Sequence, residues 1–481
     1  MLNFRSLLNI AVAIVPMIAA SQSISSVAAP VASPLVVTKD HTLKNARYLG
    51  GVGHNEARAT ALAKNGDIFV GGNFANMQAA SSNSRSLNGA KSNAPGKLLR
   101  LSPDGNQILN QIALGQRIDG IQVVRDLIVV GGDFGVAVLD DNLNPIWQDS
   151  LTGLAPGNGS SDGGQTRVAM DASGKVAVLR AKNVMLFAAD GKKVASKTID
   201  RTYVNDIAID PAGQRIYVVG FSNRKSGKPV QVSFLHALDT KNDLKELWRT
   251  WDFEANLLSD PKNNNMADSR LYRVVATNDD QVVVLGESAG GNSIYRWNGK
   301  DLTNNSTLVA TDMYNTAYNT SSNHILYYGK VNASNGNVIA GQLTLTRLTP
   351  EKRLKGNTIR AKDGALAVDA KGQIYIGGIA AYAIAERDSN KINGQQISTY
   401  AGSDMYFLMV SADLKKRLRW TVFSANPKGG GTLNAVAVQN NTVALFGTVE
   451  FGNMITTNGS QRFNPIDSKD KDAYFSILKT D

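Results

Sequence analysis

Apolar and polar residues alternate in short runs along nearly the whole chain, most clearly from Asn205 to Gly220, NDIAIDPAGQRIYVVG. Ile207 and Ile209, then Ile216 and Val218, mark two half-buried strands, and Asp210-Pro211-Ala212-Gly213 supplies the turn between them. The same unit returns. Ala59 to Lys64 pairs with Asp67 to Gly72 through the hairpin dipeptide Asn65-Gly66. Later copies are Gly120 to Gly132, Arg167 to Arg180, Tyr272 to Gly286, a weak one at His324 to Gly329, Leu366 to Gly378 and Asn434 to Gly447. Further strands follow these pairs, such as those starting at Lys97 and Gln107, or Val232 to Asp239 and Leu244 to Phe253.

The second strands of these units end at residues 71, 131, 180, 220, 286, 329, 377 and 447, about 54 residues apart on average, which is the period of propeller blades. The pattern predicts an all-β propeller of four-stranded blades, eight in number, or seven if the weak sixth unit is dropped. The last unit stops after its third strand, DAYFSILKTD, while NARYLG (Asn45 to Gly50) is a lone strand near the start. Closing the ring with that strand completes the last blade and hides two open sheet edges. A β-sandwich needs no repeated unit, and a solenoid lacks this match of end to start.

The first twenty residues do not fit the repeat. One cation, Arg5, precedes a largely apolar run from Leu7 to Ala20, and small residues follow. This reads as a secretory signal peptide over 1–29, cleaved between 20 and 29, then a lead-in over 30–44 and a single propeller domain over 45–481. The expected location is outside the cytoplasm, extracellular or periplasmic, with no transmembrane segment after signal removal. The chain has no Cys, which excludes disulfides, thiolate metal sites and cysteine nucleophiles. Its formal charge is +11, so anionic partners are favoured, although no run of five or more cations occurs and scattered Lys for solubility accounts for the same charge. The export signal and the lack of aromatics interleaved with a basic stripe argue against nucleic acid.

Leu433 to Gly452 (LNAVAVQNNTVALFGTVEFG), a polar insertion and Lys471 to Asp481 run strand, turn, strand ending in Gly, loop, then Asp-aromatic third strand. Ser403 to Phe423 repeats the third and fourth strands with a Trp. These stretches resemble the bacterial secreted β-propeller repeat of the SBBP type. The resemblance implies the propeller fold and an extracellular address, and brings no common catalytic residues.

In such a blade the loop between second and third strands and the loop joining blades share one face, and in this chain that face carries the long polar insertions, Asn73 to Gly96, Phe221 to Pro229, Ile379 to Ser403 and Thr448 to Asp470. Residues just before the inner strands are expected at the mouth of a central funnel on this face. Arg58, Arg117, Arg167, Tyr203, Tyr272, Arg273 and Arg360 are the candidate ligand-binding residues, with Glu56, Asp119, Asp206, Arg270 and Tyr314 beside them. Arg binds carboxylate or sulfate bidentately, which points to an acidic glycan or a cell-surface protein as partner. The competing reading pairs these Arg with Glu56, Asp119 and Asp206 as the ordinary polar lining of a propeller channel.

No catalytic residue, metal site or cofactor is assigned. The four histidines, His41, His54, His236 and His324, have no metal-ligand spacing. A non-enzymatic binding or scaffolding protein is expected; the alternative is a polysaccharide lyase or hydrolase using the funnel, with His54, Tyr203 or Tyr272 moving the proton. Gly157 to Gly164 (GNGSSDGG) lacks the Gly-Lys-Ser/Thr of a phosphate loop and reads as a flexible inter-blade loop. Asp467, Asp470 and Asp472 read as a solvated charged loop rather than a calcium site.

Overall fold

The computed structural model describes residues 36–38, 40–74, 76–77, 84–87, 91, 93–226, 228–258, 266–305, 309–311, 324–347, 356–381, 384, 390–397, 403–425, 429–466 and 468–480. The signal-peptide stretch lies outside them.

The described residues form seven antiparallel blades. From inner strand to outer, blade 1 is Asn55–Leu62, Ile68–Phe74, Gly96–Leu101 and Ile108–Gly115; blade 2 is Ile118–Val124, Leu127–Gly132, Gly135–Asp140 and Pro145–Asp149. Blade 3 is Thr166–Met170, Val176–Arg180, Asn183–Phe187 and Lys193–Thr198; blade 4 is Tyr203–Ile209, Arg215–Ser226, Lys228–Asp239 and Lys245–Thr250. Blade 5 is Ser269–Ala276, Gln281–Ser288, Ile325–Asn332 and Val338–Thr344; blade 6 is Ile359–Val368, Ile374–Ala381, Ser403–Val410 and Arg417–Val422. Blade 7 takes Gly431–Gln439, Thr442–Val449 and Asp472–Lys479 from the C-terminus, and its outer strand is Leu43–Leu49. The N-terminal strand closes the ring, as the sequence predicts. Each inner strand contacts the next, and the inner strand of blade 7 returns to that of blade 1.

Of the two blade counts, seven is the one formed. Ile325–Asn332, which carries the weak sixth unit, pairs along its length with Gln281–Ser288 and is the third strand of blade 5. Residues 289–324 lie between these partners and space them like two separate blades. Within that insertion Ile294–Arg296 forms a 3-10 turn capped by Ser293.

Apolar residues of the middle strands are buried on both faces because each blade is sandwiched between two others. Phe69, Leu98 and Ile112 of blade 1 meet Ile128, Val130 and Leu139 of blade 2 on one side. On the other, Val70 and Leu99 meet Phe446 and Phe475 of blade 7.

Six of the seven inner strands bulge at the same level, near the long-loop face. Register shifts leave Arg58, Asp119, Asn205, Tyr272 and Asn434 as extra residues, and blade 6 loops out Ala361 to Gly364. Opposite each bulge stands the recurrent Gly of the second strand, which in most blades runs on past it. A Cβ on Gly72 would lie 1.9 Å from the Glu56 carbonyl oxygen, one on Gly132 2.2 Å from that of Arg117, and one on Gly220 2.0 Å from that of Tyr203. The recurrent Gly thus marks where bulged backbone crosses close over its partner. Blade 3 has Arg180 at that position, and its inner strand pairs without a bulge.

Strands outside the repeat cover some outer edges. Ser84–Ser86 lies parallel on blade 1, Val309–Thr311 on blade 5 and the lead-in strand Val36–Thr38 on blade 6. The lead-in also pairs Asp40–His41 with Lys391–Ile392, and the closing strand begins at Leu43, two residues before the expected Asn45. Blades 3 and 4 leave their outer strands, Lys193–Thr198 and Lys245–Thr250, without a further strand among the described residues, and both carry Lys, which discourages edge-to-edge pairing.

Candidate functional site

The inner strands and the residues just before them carry the predicted Arg residues to the channel axis, where carboxylates meet most of them. Arg58 Nη1 lies 2.9 Å from Glu56 Oε2, and Arg117 grips both oxygens of Asp119 at 2.7 and 3.2 Å. Arg360 holds both oxygens of Glu287 at 2.9 and 2.8 Å, with Arg270 at 3.0 Å from the same carboxylate. Glu56 is held at about 2, because hydrogen bonds from His54 and Arg58 outweigh the burial that opposes its charge. Pairing with Glu56 and Asp119 therefore describes Arg58 and Arg117, and a carboxylate not singled out from sequence, Glu287, takes Arg360.

These acids also tie blade to blade. Asp119 accepts from the Thr166 amide at 3.0 Å, Asp206 from Val274 at 3.0 Å and Glu287 from Ala361 at 3.2 Å. Each carboxylate thus fixes the inner strand of the following blade.

The two candidate tyrosines differ. Tyr203 is half-buried with its ring 4.7 Å from that of Phe221, at the rim. Tyr272 is 1% exposed and packs edge-on to Phe221, and burial together with Glu287 and Asp162 raises its phenol far above the ordinary range. Tyr272 is a core residue rather than an accessible base. Tyr314 lies outside the described residues.

The Gly-rich stretch Gly157 to Gly164 has a definite place. Arg117 donates to the Gly157 carbonyl at 2.8 Å and Arg58 to that of Gly159 at 2.5 Å. Ser161 donates to Asp363 at 2.7 Å, and the Lys362 ammonium lies 2.5 Å from Asp162. Blade 6 contributes Lys362 and Asp363, so the loop spans the axis from one side of the ring to the other. It covers the long-loop end of the channel, where Ser161 is 1% exposed, and the funnel expected to open there is closed.

Toward the opposite end the lining becomes more open. Val123, Val168, Val275, Leu366, Val368 and Val438, near the inner-strand ends at the tight turns, are half-buried. The channel is thus a well of about 350 Å³ entered from the tight-turn face. Arg58, Arg167, Asp206, Arg273 and Asn434 line it at its closed end.

No family model matches the chain, and no curated protein matches it in sequence. Solved structures do match. One of them, described as the structure of U3-55K, has 8% identity and a TM-score of 0.48 and covers 91% of this chain and 100% of its own. The likeness of the last two units to the secreted repeat accordingly stands for propeller architecture, which the seven sheets display directly, and for nothing family-specific.

One constellation was missed from sequence. Glu287, fully buried, lies 3.1 Å from Nδ1 of His324, a partly exposed residue on the long-loop face, and the Arg270 guanidinium lies 3.4 Å from the same nitrogen. Burial opposes the charge on Glu287, but His324 and Arg360 hold its carboxyl well below the usual range. The only signal was an acid directly after the recurrent Gly286.

The other motifs are structural. His236 is buried between Asp252 at 3.0 Å and Glu246 at 3.4 Å. Asp472, expected in solvent, is fully buried and anchors the last long loop through Arg462 at 2.9 Å and the Phe463 amide at 3.2 Å; Asp467 lies outside the described residues. Trp147 stacks on Phe187 of the next blade. Among the described residues, no group of His, Asp or Glu is placed to hold a metal ion, and no helix is long and apolar enough to cross a membrane.

Proposed function

We propose that this is an exported, non-enzymatic binding or scaffolding propeller that presents its long-loop face to an acidic polysaccharide. The observation that carries the reading is the way buried and half-buried charges pin the loops of that face. Asp472 holds the 450–471 loop, Arg58 and Arg117 hold the 157–164 loop, and Asp252 takes Arg201 at 2.5 Å and Arg224 at 3.2 Å beside the long hairpin of blade 4. Holding polar loops still lowers the ordering cost of binding, whereas folding alone does not require it. The basic balance of the chain and the signal-like N-terminus support an anionic partner met outside the cytoplasm.

An array of neutral, uronate-bearing and sulfated polysaccharides, probed with the mature protein at two salt concentrations, tests this. Salt-sensitive binding to the anionic members is expected, weakened in a Lys91→Glu/Lys469→Glu double variant at exposed positions. Binding to none of them moves the reading to a protein partner. A second reading, a glycan-active enzyme, is favoured by the orientation of His324 alone. Ultraviolet absorbance from unsaturated products, lost in His324→Ala, would establish it.

A further inference from the structure

Among the described residues, Arg273 is a buried cation without an ion-pair partner. It is 7% exposed, and its one hydrogen bond among the described residues runs from Nη1 to the Tyr272 carbonyl at 2.8 Å. A guanidinium has five N–H donors. Beside it in the well, Arg167 is 8% exposed and donates from Nη1 to the Asp119 carbonyl at 2.7 Å. Its Nε stands 3.6 Å from Asp206 and has no hydrogen-bond partner among the described residues. Arg58 Nε, 3.5 Å from Asp119, is likewise buried and unbonded.

The acids facing this group are already engaged. Asp206 accepts from the Val274 amide and Asp363 from Ser161, while Glu56 and Asp119 serve Arg58 and Arg117. Burial and the facing Arg167 push the Arg273 guanidinium down to about 9, against the pull of Asp206 and Asp363. Burying a cation without a partner costs several kcal/mol, and an anion that meets the unfilled donors in this enclosed space would offset that cost.

We propose that the closed end of the well binds one oxyanion, held by Arg273 and Arg167 with Arg58 beside them, and that this anion enters from the tight-turn face. The shared chemistry is a carboxylate, sulfate or phosphate group, either free in solution or carried at the end of an acidic sugar. The site is independent of the long-loop reading, because the 157–164 loop separates the two.

The test is thermal unfolding of the mature chain in chloride buffer, with sulfate, phosphate or galacturonate titrated in at constant ionic strength. Wild type should gain a saturable rise in Tm of roughly 3 °C or more. Arg273→Met should start at or above wild type in chloride and show only the unsaturating rise that excluded sulfate gives any protein. Saturation by galacturonate at lower concentration than by sulfate or phosphate identifies a sugar carboxylate as the source, and the reverse order a free oxyanion. Parallel curves for wild type and Arg273→Met overturn the proposal. Should that variant fail to fold, a selenate-soaked wild-type crystal decides instead: anomalous density between Arg273 and Arg167 is expected, and its absence overturns the site. Loss of glycan binding on the array leaves this result untouched, so the two readings fail separately.

Discussion

Gly220 shows how one residue type serves the blade. Its recurrence in the second strand was legible as a repeat signal, but the reason lies in a neighbour, because the inner strand bulges at Asn205 and brings the Tyr203 carbonyl over Gly220. A methyl group there would also meet the Phe234 ring at 2.8 Å. Gly220→Ala is expected to cost about 1–3 kcal/mol, the range for overpacking, read from urea unfolding; an unchanged midpoint would contradict the close approach. The Arg residues show a mixed balance. Their recurrence before the inner strands was visible, and Arg58–Glu56 and Arg117–Asp119 pair two residues apart, but further pairs join acids distant in sequence. Arg360 reaches Glu287 from the next blade, and Arg58 meets Asp119 as well as Glu56.

At the scale of elements, strand and turn positions follow closely from alternation and from turns such as Asn65-Gly66, since both signals are local. The insertion over 289–324 defeated spacing as a guide, because period alone cannot tell an interrupted blade from two short ones. The lead-in offers a prediction of its own. His41 is 1% exposed in the short strand paired with Lys391–Ile392, and burial, aided by Arg419, pushes its imidazole down to about 4. The unfolded chain takes that proton near pH 6.5, so between 6.5 and 4 it binds more protons than the folded one, and stability falls as pH falls through this window. Unfolding midpoints measured across it should drop for wild type and drop less in His41→Phe; identical slopes would remove His41 from the effect.

For the whole molecule, stability rests on ring closure. Leu43–Leu49 pairs with Asp472–Lys479 and buries Leu43, Tyr48 and Leu49, so a chain starting at Gly51 loses these contacts and exposes the edge of blade 7. The loss is roughly 5 kcal/mol or more from side-chain burial alone, measurable as a lowered Tm and a tendency to associate. A truncated chain melting like the full one would show that the ring holds without its latch.

The sequence by itself determined the class of fold, the repeated unit and the closing strand, because alternation, turn chemistry and strand count are written locally or by simple repetition. It also located the long-loop face and most of the cations at the axis. Only the tertiary structure decided the number of blades, the closure of the axis by the 157–164 loop and the direction from which the well opens. Those outcomes depend on which residues meet across the ring, as Ser161 meets Asp363, and no local pattern in the chain encodes a contact between residues about two hundred positions apart.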